Sequence, residues 1–247
     1  MTSLAAIEGA GAERVLVLHG WALDSGVWLA ARALTDMARF TYAYLDFPGY
    51  GVNKDAASAQ GIDGMGWAAL AAAESLGWDR FSVVGHSMGG VTAMRVATLA
   101  PKRIASVAAL TPVSPGGTPL DAATYAVFKG AWADPGGAIK GALSPDIDPV
   151  SLGNIVKRNR ASMSQSVWND YLANWTGPNF MAELKALTMP VTLFVGSSDP
   201  FVTETYLAET VKALPNGKLK TIAGAGHYPQ IEQTAATVAA WEAALSA

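Results

Sequence analysis

Cysteine is missing from all 247 residues. The chain therefore has neither a disulfide framework nor a thiol nucleophile. Histidine is almost as scarce. Three scattered copies and no cysteine supply no zinc-ligand cluster, and no metal or other cofactor is expected. Charge is sparse too: 15% of residues are charged and the net charge is −3, which argues against nucleic-acid binding. No uncharged apolar run reaches the ~18 residues of a membrane span. The stretch Met1 to Arg14 lacks the basic start and apolar core of a signal peptide, so a cytoplasmic location without membrane attachment is expected. A G-x-x-x-x-G-K-[ST] phosphate loop is absent, and Gly9-Ala10-Gly11 precedes a strand instead of following one, which disfavours a dinucleotide site. No internal repeat is found.

Apolar residues make up 51% of the chain, enough for a sizeable core, and the length suits one α/β domain with room for an insertion. Residues 1 to 13 are small and polar. Strands are predicted at Arg14 to Leu18, Tyr42 to Leu45, Phe81 into the Gly85 turn, Ile104 to Leu110, Val191 to Val195 and Lys218 to Ile222. Helical periodicity lies between them. Asp24-Ser25 can cap a helix through Trp28 and Leu34, Gly64 to Leu76 is alanine-rich, and Thr203 to Leu214 and Thr234 to Leu245 follow the late strands. Such alternation predicts a parallel sheet with helices on both faces. From Thr111 to about Lys185 it stops. That stretch is helical with Gly/Pro breaks (Pro112, Pro115-Gly116-Gly117, Pro119, Pro135-Gly136-Gly137, Pro145, Pro149, Gly177-Pro178) and reads as a cap over a site. The division expected is a core of residues 1–111 and 186–247 with a helical cap at 112–185.

The most informative stretch is Phe81-Ser82-Val83-Val84-Gly85-His86-Ser87-Met88-Gly89-Gly90. A β-branched strand runs into Gly85-x-Ser87-x-Gly89, and Val91, Met94 and Ala97 continue at helical spacing. Strand, sharp turn and helix form the setting in which a serine becomes a nucleophile. The turn strains Ser87, the glycines let the backbone pass close by, and the helix N-terminus favours developing negative charge.

With Leu16-Val17-Leu18-His19-Gly20-Trp21-Ala22-Leu23-Asp24, this elbow resembles the α/β-hydrolase superfamily from His19 to the C-terminus. Within it the chain is similar to small bacterial carboxylesterases, including those that demethylate pimeloyl-carrier-protein esters. The resemblance implies an α/β-hydrolase fold with the cap inserted after the family's sixth strand. It also implies an N-terminal hairpin for which residues 1 to 13 leave little room, so a shortened sheet edge is expected. Asp46, in Asp46-Phe47-Pro48-Gly49-Tyr50-Gly51, falls in a family loop near the site and is read as a loop hydrogen-bonding residue.

A serine hydroxyl needs a base, and the base needs an orienting group. His86 adjoins Ser87, where neighbouring side chains diverge, and His19 is used by the family to brace the oxyanion loop. That leaves His227, in Gly224-Ala225-Gly226-His227 after the last strand. The acid should fall between serine and histidine in the chain and follow a strand, as Asp199 does. Asp121, Asp134, Asp146 and Asp148 fall in the insertion. The oxyanion donors expected are the backbone amides of Met88 and, by family match, Trp21. Trp21, Tyr125, Phe128, Trp132 and Trp168 are candidate walls of an apolar substrate pocket; of the insertion's aromatics, which also include Tyr171, Trp175 and Phe180, most are read as cap packing with one or two facing inward.

The expected function is cofactor-free hydrolysis of carboxylic esters with small to medium acyl chains. The same triad serves carbon–carbon bond hydrolases and lactonases, and a hydrolase-like receptor for a small ligand would retain it as well. Serine in place of aspartate disfavours the dehalogenase and epoxide-hydrolase branches. Lys157, Arg158 and Arg160 form a cationic cluster. On the esterase resemblance it is a dock for an acyl carrier protein, and read plainly it is a solvated helix face.

Overall fold

The computed structural model describes residues 3–177 and 179–246. Pro178, one of the breaks noted in the insertion, lies outside them. Among the described residues seven strands form one sheet: β1 (Leu4–Glu8), β2 (Glu13–Leu18), β3 (Phe40–Leu45), β4 (Phe81–His86), β5 (Ile104–Leu110), β6 (Val191–Gly196) and β7 (Gly217–Ile222). The spatial order is β1-β3-β2-β4-β5-β6-β7. Strand β1 is antiparallel to β3 and every other pairing is parallel. The expected shortening of the N-terminal edge takes this form: one antiparallel strand stands where a hairpin's two would.

Helices fill the connections. They are α1 (Leu29–Arg32), α2 (Gly61–Ser75), α3 (Met88–Leu99), α4 (Ala122–Gly130), α5 (Pro135–Ala142), α6 (Pro149–Ser162), α7 (Gln165–Thr176), α8 (Glu204–Ala213), α9 (Pro229–Glu232) and α10 (Thr234–Leu245). Asp24 does cap the turn that follows it, accepting from the Gly26 amide, but a 3-10 turn at Ser25–Trp28 and the short α1 replace the longer helix expected through Leu34. Helices α4 to α7 occupy the insertion after β5, which is the family's sixth strand once a full hairpin is counted. Asp121, Asp134 and Asp148 cap α4, α5 and α6, and Pro135 and Pro149 start the last two, where a missing N–H costs nothing.

The strand pleat sends alternate residues to opposite faces. Leu16, Leu18, Val83, Val107, Ala109, Leu193 and Val195 pack into one core with α2 and α3 residues such as Met65 and Met94. Val15, Val17, Tyr42, Tyr44, Val84, Leu110 and Phe194 pack into the other, against Trp28 and Trp241. Both faces are dry, which explains the near-continuous apolar strands.

The order β3-β2-β4 means that the chain leaves β3 and reappears on the far side of β2. The C-terminal ends of β2 and β4 thus flank a topological switch point, where open α/β sheets bind ligands. Leu18 pairs with Gly85, so the turn carrying Gly20 and Trp21 lies beside the turn carrying Ser87 and Met88.

Candidate active site

Ser87 sits between β4 and α3 at φ 53°, ψ −114°, a conformation unfavourable for any side-chain-bearing residue. Packing enforces it. A Cβ on Gly85 would lie 2.1 Å from the Gly89 carbonyl oxygen, and one on Gly89 would lie 2.4 Å from the Leu18 oxygen. The helix is pressed so tightly onto the sheet end that only glycine fits on either side of the serine. Two bonds hold the turn from below: Ser87 N–H donates to the Leu110 carbonyl at 2.8 Å, and its own carbonyl accepts from Gly90 at 2.9 Å.

Three chain segments converge here. Ser87 Oγ lies 3.0 Å from His227 Nε2, and His227 Nδ1 lies 2.8 Å from Asp199 Oδ2. All three residues are buried. The other Asp199 oxygen accepts from the amides of Phe201 (2.8 Å) and Val202 (3.0 Å), so the carboxylate cannot turn. With Nδ1–H given to Asp199, the imidazole presents a bare Nε2 to the serine hydroxyl. A hydroxyl so placed can lose its proton as it attacks an electrophilic carbon. Met88 is the first residue of α3, where an amide has no helical partner, and Trp21 follows β2 at the neighbouring edge.

The other two histidines are kept neutral chiefly by burial. His86 Nε2–H donates to the His227 carbonyl at 2.8 Å, and burial, aided by the nearby His227 and His19, lowers its pKa well below the ordinary imidazole value. His19 Nδ1–H donates to the Gly20 carbonyl at 2.8 Å, while its Nε2 accepts from the Phe47 amide at 3.1 Å. Burial lowers its pKa also, against the pull of Asp46. His19 thus ties the Gly20-Trp21 turn to the Asp46-Phe47 loop. Asp46 itself accepts from the amides of Ser25 (2.6 Å) and Val52 (2.9 Å), the structural role expected of it.

Sequence reasoning missed the supports of the histidine loop. Glu232 Oε2 accepts from the amides of Gly226 (3.0 Å) and Tyr228 (2.9 Å), the residues on either side of His227. Ser144, from the insertion, accepts from the His227 amide at 2.9 Å and donates to the same Glu232 oxygen at 3.2 Å. Thr111 Oγ1 donates to the His227 carbonyl at 3.0 Å. Burial raises the Glu232 pKa, an effect opposed by these donors. The only sequence signal was an acid five positions after the candidate base.

A cavity of about 100 Å³ opens beside Ser87 and His227. Of the candidate walls, Trp21, Phe128 and Trp168 line it, together with Trp175 and Phe201. Tyr125 and Trp132 are corrections: among the described residues neither lines it. Trp132 lies behind Trp168, 5.7 Å between ring centroids, with the Arg160 guanidinium 4.2 Å over its face. Tyr125 is partly buried and packs against the core. Among the described residues the lining contains no aspartate, glutamate, lysine or arginine. Of the cationic cluster, Lys157 is exposed, Arg158 pairs with Asp24, and Arg160 donates to the Trp132 carbonyl. No helix among the described residues is long and apolar enough to cross a membrane.

The chain resembles known proteins in sequence and in fold. The chain is 27% identical over 243 residues to a pimeloyl-[acyl-carrier protein] methyl ester esterase of Citrobacter koseri, covering 91% of this chain and 90% of that one. It is 37% identical over 110 residues to the dihydrolipoyllysine-residue acetyltransferase component of an acetoin cleaving system of Cupriavidus necator. That match spans 44% of this chain but only 29% of that protein's length. The crystal structure of a bromoperoxidase from Bacillus anthracis superimposes with a TM-score of 0.88 at 20% identity, each chain covered in full. The model of the alpha/beta hydrolase family matches residues 15–241, and the chain belongs to that family.

Proposed function

We propose that the protein is a serine esterase that hydrolyses carboxylic esters of small to medium acyl chains. The observation that carries this reading is the relay from Ser87 Oγ through His227 to Asp199, with contacts of 3.0 and 2.8 Å, opening on an apolar cavity. Ser87 Oγ attacks the ester carbonyl carbon while His227 Nε2 takes its proton, and the new oxyanion is met by the amides of Trp21 and Met88. Each such donor contributes on the order of 3 kcal/mol to the transition state. The intermediate collapses by breaking the bond to the alcohol oxygen, which leaves with the proton from His227. Water, deprotonated by the same imidazole, then releases the acyl group as a carboxylic acid and restores Ser87. Asp199 holds the productive tautomer throughout. On this reading residues 112–185 act as the cap, which excludes water through Phe128, Trp168 and Trp175.

Carbon–carbon bond hydrolysis and lactone opening use the same three groups. A ring-fission diacid too short to reach beyond the cavity would have to leave a carboxylate in it, where no charged side chain compensates its desolvation, so the ester reading is favoured. The test is labelling by a fluorophosphonate and turnover of p-nitrophenyl esters, with a ring-fission dienone and a lactone assayed in parallel. Both labelling and ester turnover are expected and are lost in Ser87→Ala. Failure with every acyl length, or preference for the dienone or lactone, would overturn the assignment.

A further inference from the structure

The cavity beside Ser87 shares two lining residues, Leu23 and Ile155, with a second, wider groove on the outer surface. Each is 5% exposed, so the two spaces meet at a partition of apolar side chains. Polar contacts fasten the partition on either side. Arg158, one turn beyond Ile155 on α6, donates from Nε and Nη2 to the two oxygens of Asp24 at 2.8 and 2.9 Å. Asn159 Nδ2 donates to the carbonyl of Ala22 at 2.9 Å. Residues 22 to 24 are thus latched to α6, and Leu23 and Ile155, members of one packed cluster, line both spaces beside the latches. The groove is also lined by Leu29, which is 53% exposed, and bears Lys157 and Arg158. Its charged lining is one carboxylate and two cations, and the carboxylate is already paired to Arg158, so the rim is positive at Lys157.

These two spaces differ in what they can hold. The inner cavity takes methylene groups and excludes charge, whereas the groove offers an apolar floor that ends at an ammonium group in water. We propose that Leu23 and Ile155 form a gate through which a linear acyl chain passes from Ser87 onto the Leu29 groove, and that the preferred substrates are esters whose acyl chain ends in a carboxylate placed at Lys157. This rests on the esterase reading of Ser87 and specifies its substrate class. The chain stays dry along its length, and its charged end lies outside the cavity, where desolvation costs little.

The test compares kcat/KM on p-nitrophenyl butyrate, p-nitrophenyl decanoate and the mono-p-nitrophenyl ester of decanedioic acid. Ile155→Trp should lower the decanoate-to-butyrate ratio at least 10-fold by closing the gate, and Ile155→Ala should raise it. Lys157→Glu should lower the ratio of the carboxylate-ended ester to decanoate about 3–10-fold, the effect of reversing one exposed charge. Parallel changes on short and long esters in both Ile155 variants would overturn the gate, and an unchanged ratio in Lys157→Glu would overturn the anionic end. Wild-type protein inactive even on the butyrate would instead remove the esterase reading, and this proposal with it.

Discussion

At the scale of single residues, Asp199 has no spare capacity. One oxygen faces His227, and the other is saturated by the Phe201 and Val202 amides. Asparagine in its place would keep its carbonyl oxygen on those amides and turn its NH₂ toward His227. The imidazole would then have to accept at Nδ1 and carry its proton on Nε2, the wrong tautomer for taking one from Ser87. Asp199→Asn is expected to lower kcat by about 10⁴-fold with the fold retained, read from ester turnover and circular dichroism. Glu232 acts one step further out, through the amides on either side of His227. Glu232→Ala should lower kcat about 10–100-fold with little change in KM, because the imidazole loses its aim. Glu232→Gln, whose oxygen can still accept those bonds, should restore most of the activity. Equal losses in both variants would contradict the positioning role. The contrast between these two acids shows what was legible in the sequence. Ser87, Asp199 and His227 each follow a strand and obey a chain order, so spacing and elimination could single them out as candidates. Glu232, Ser144 and Thr111 act through backbone contacts that only the folded loops create. Likewise, which aromatic faces the cavity depends on ring packing: Trp175 lines it and Trp132 does not, though both lie in the insertion.

Among the elements, the elbow and the inserted helices tolerate change very differently. Gly89 is a first-turn residue of α3, and a Cβ there would meet the carbonyl oxygens of Leu18 and His19 at 2.4 and 2.5 Å. Those atoms are backbone and cannot swing aside. Gly153 lies inside α6 and is exposed, and a methyl group added there would meet nothing within 4 Å. Gly89→Ala should therefore abolish ester turnover and lower Tm by more than about 5 °C. Gly153→Ala should raise stability by about 0.5–1 kcal/mol, since alanine loses less backbone freedom in a helix. Thermal melts of the two variants check both signs. Element positions were largely legible because both periodicities are strong: α10 spans Thr234–Leu245 as its alanine-rich pattern predicts, and β6 and β7 each differ by one residue from the expected range. The exceptions have local causes. Strand β1 is assigned by its pairing to β3, which no pattern in residues 1 to 13 announces. The helix expected through Leu34 stops at Arg32, leaving Leu34 51% exposed.

For the molecule as a whole, the consequence of burying the sheet on both faces is that two histidines are sealed in with it. His86 and His19 have their folded-state pKa values lowered, in each case chiefly by burial; both ring nitrogens of His19 are hydrogen-bonded, whereas His86 is bonded through Nε2 alone. Unfolding releases both to the ordinary value of about 6.5. Below that pH the unfolded chain binds protons that the native chain refuses, so stability rises with pH through this range and falls as pH drops. Each histidine contributes a slope of up to about 1.4 kcal/mol per pH unit until its own lowered folded pKa is reached. Urea melts at pH 7.5, 6.5 and 5.5 should show little change over the first step and a marked loss over the second. His86→Gln, which can still donate to the His227 carbonyl, should remove about half of that loss while lowering stability at pH 7.5 by less. A wild-type stability that stayed level between pH 6.5 and 5.5 would mean that both rings accept a proton inside the folded core, and the hydrogen-bonding scheme drawn for them would have to be redrawn.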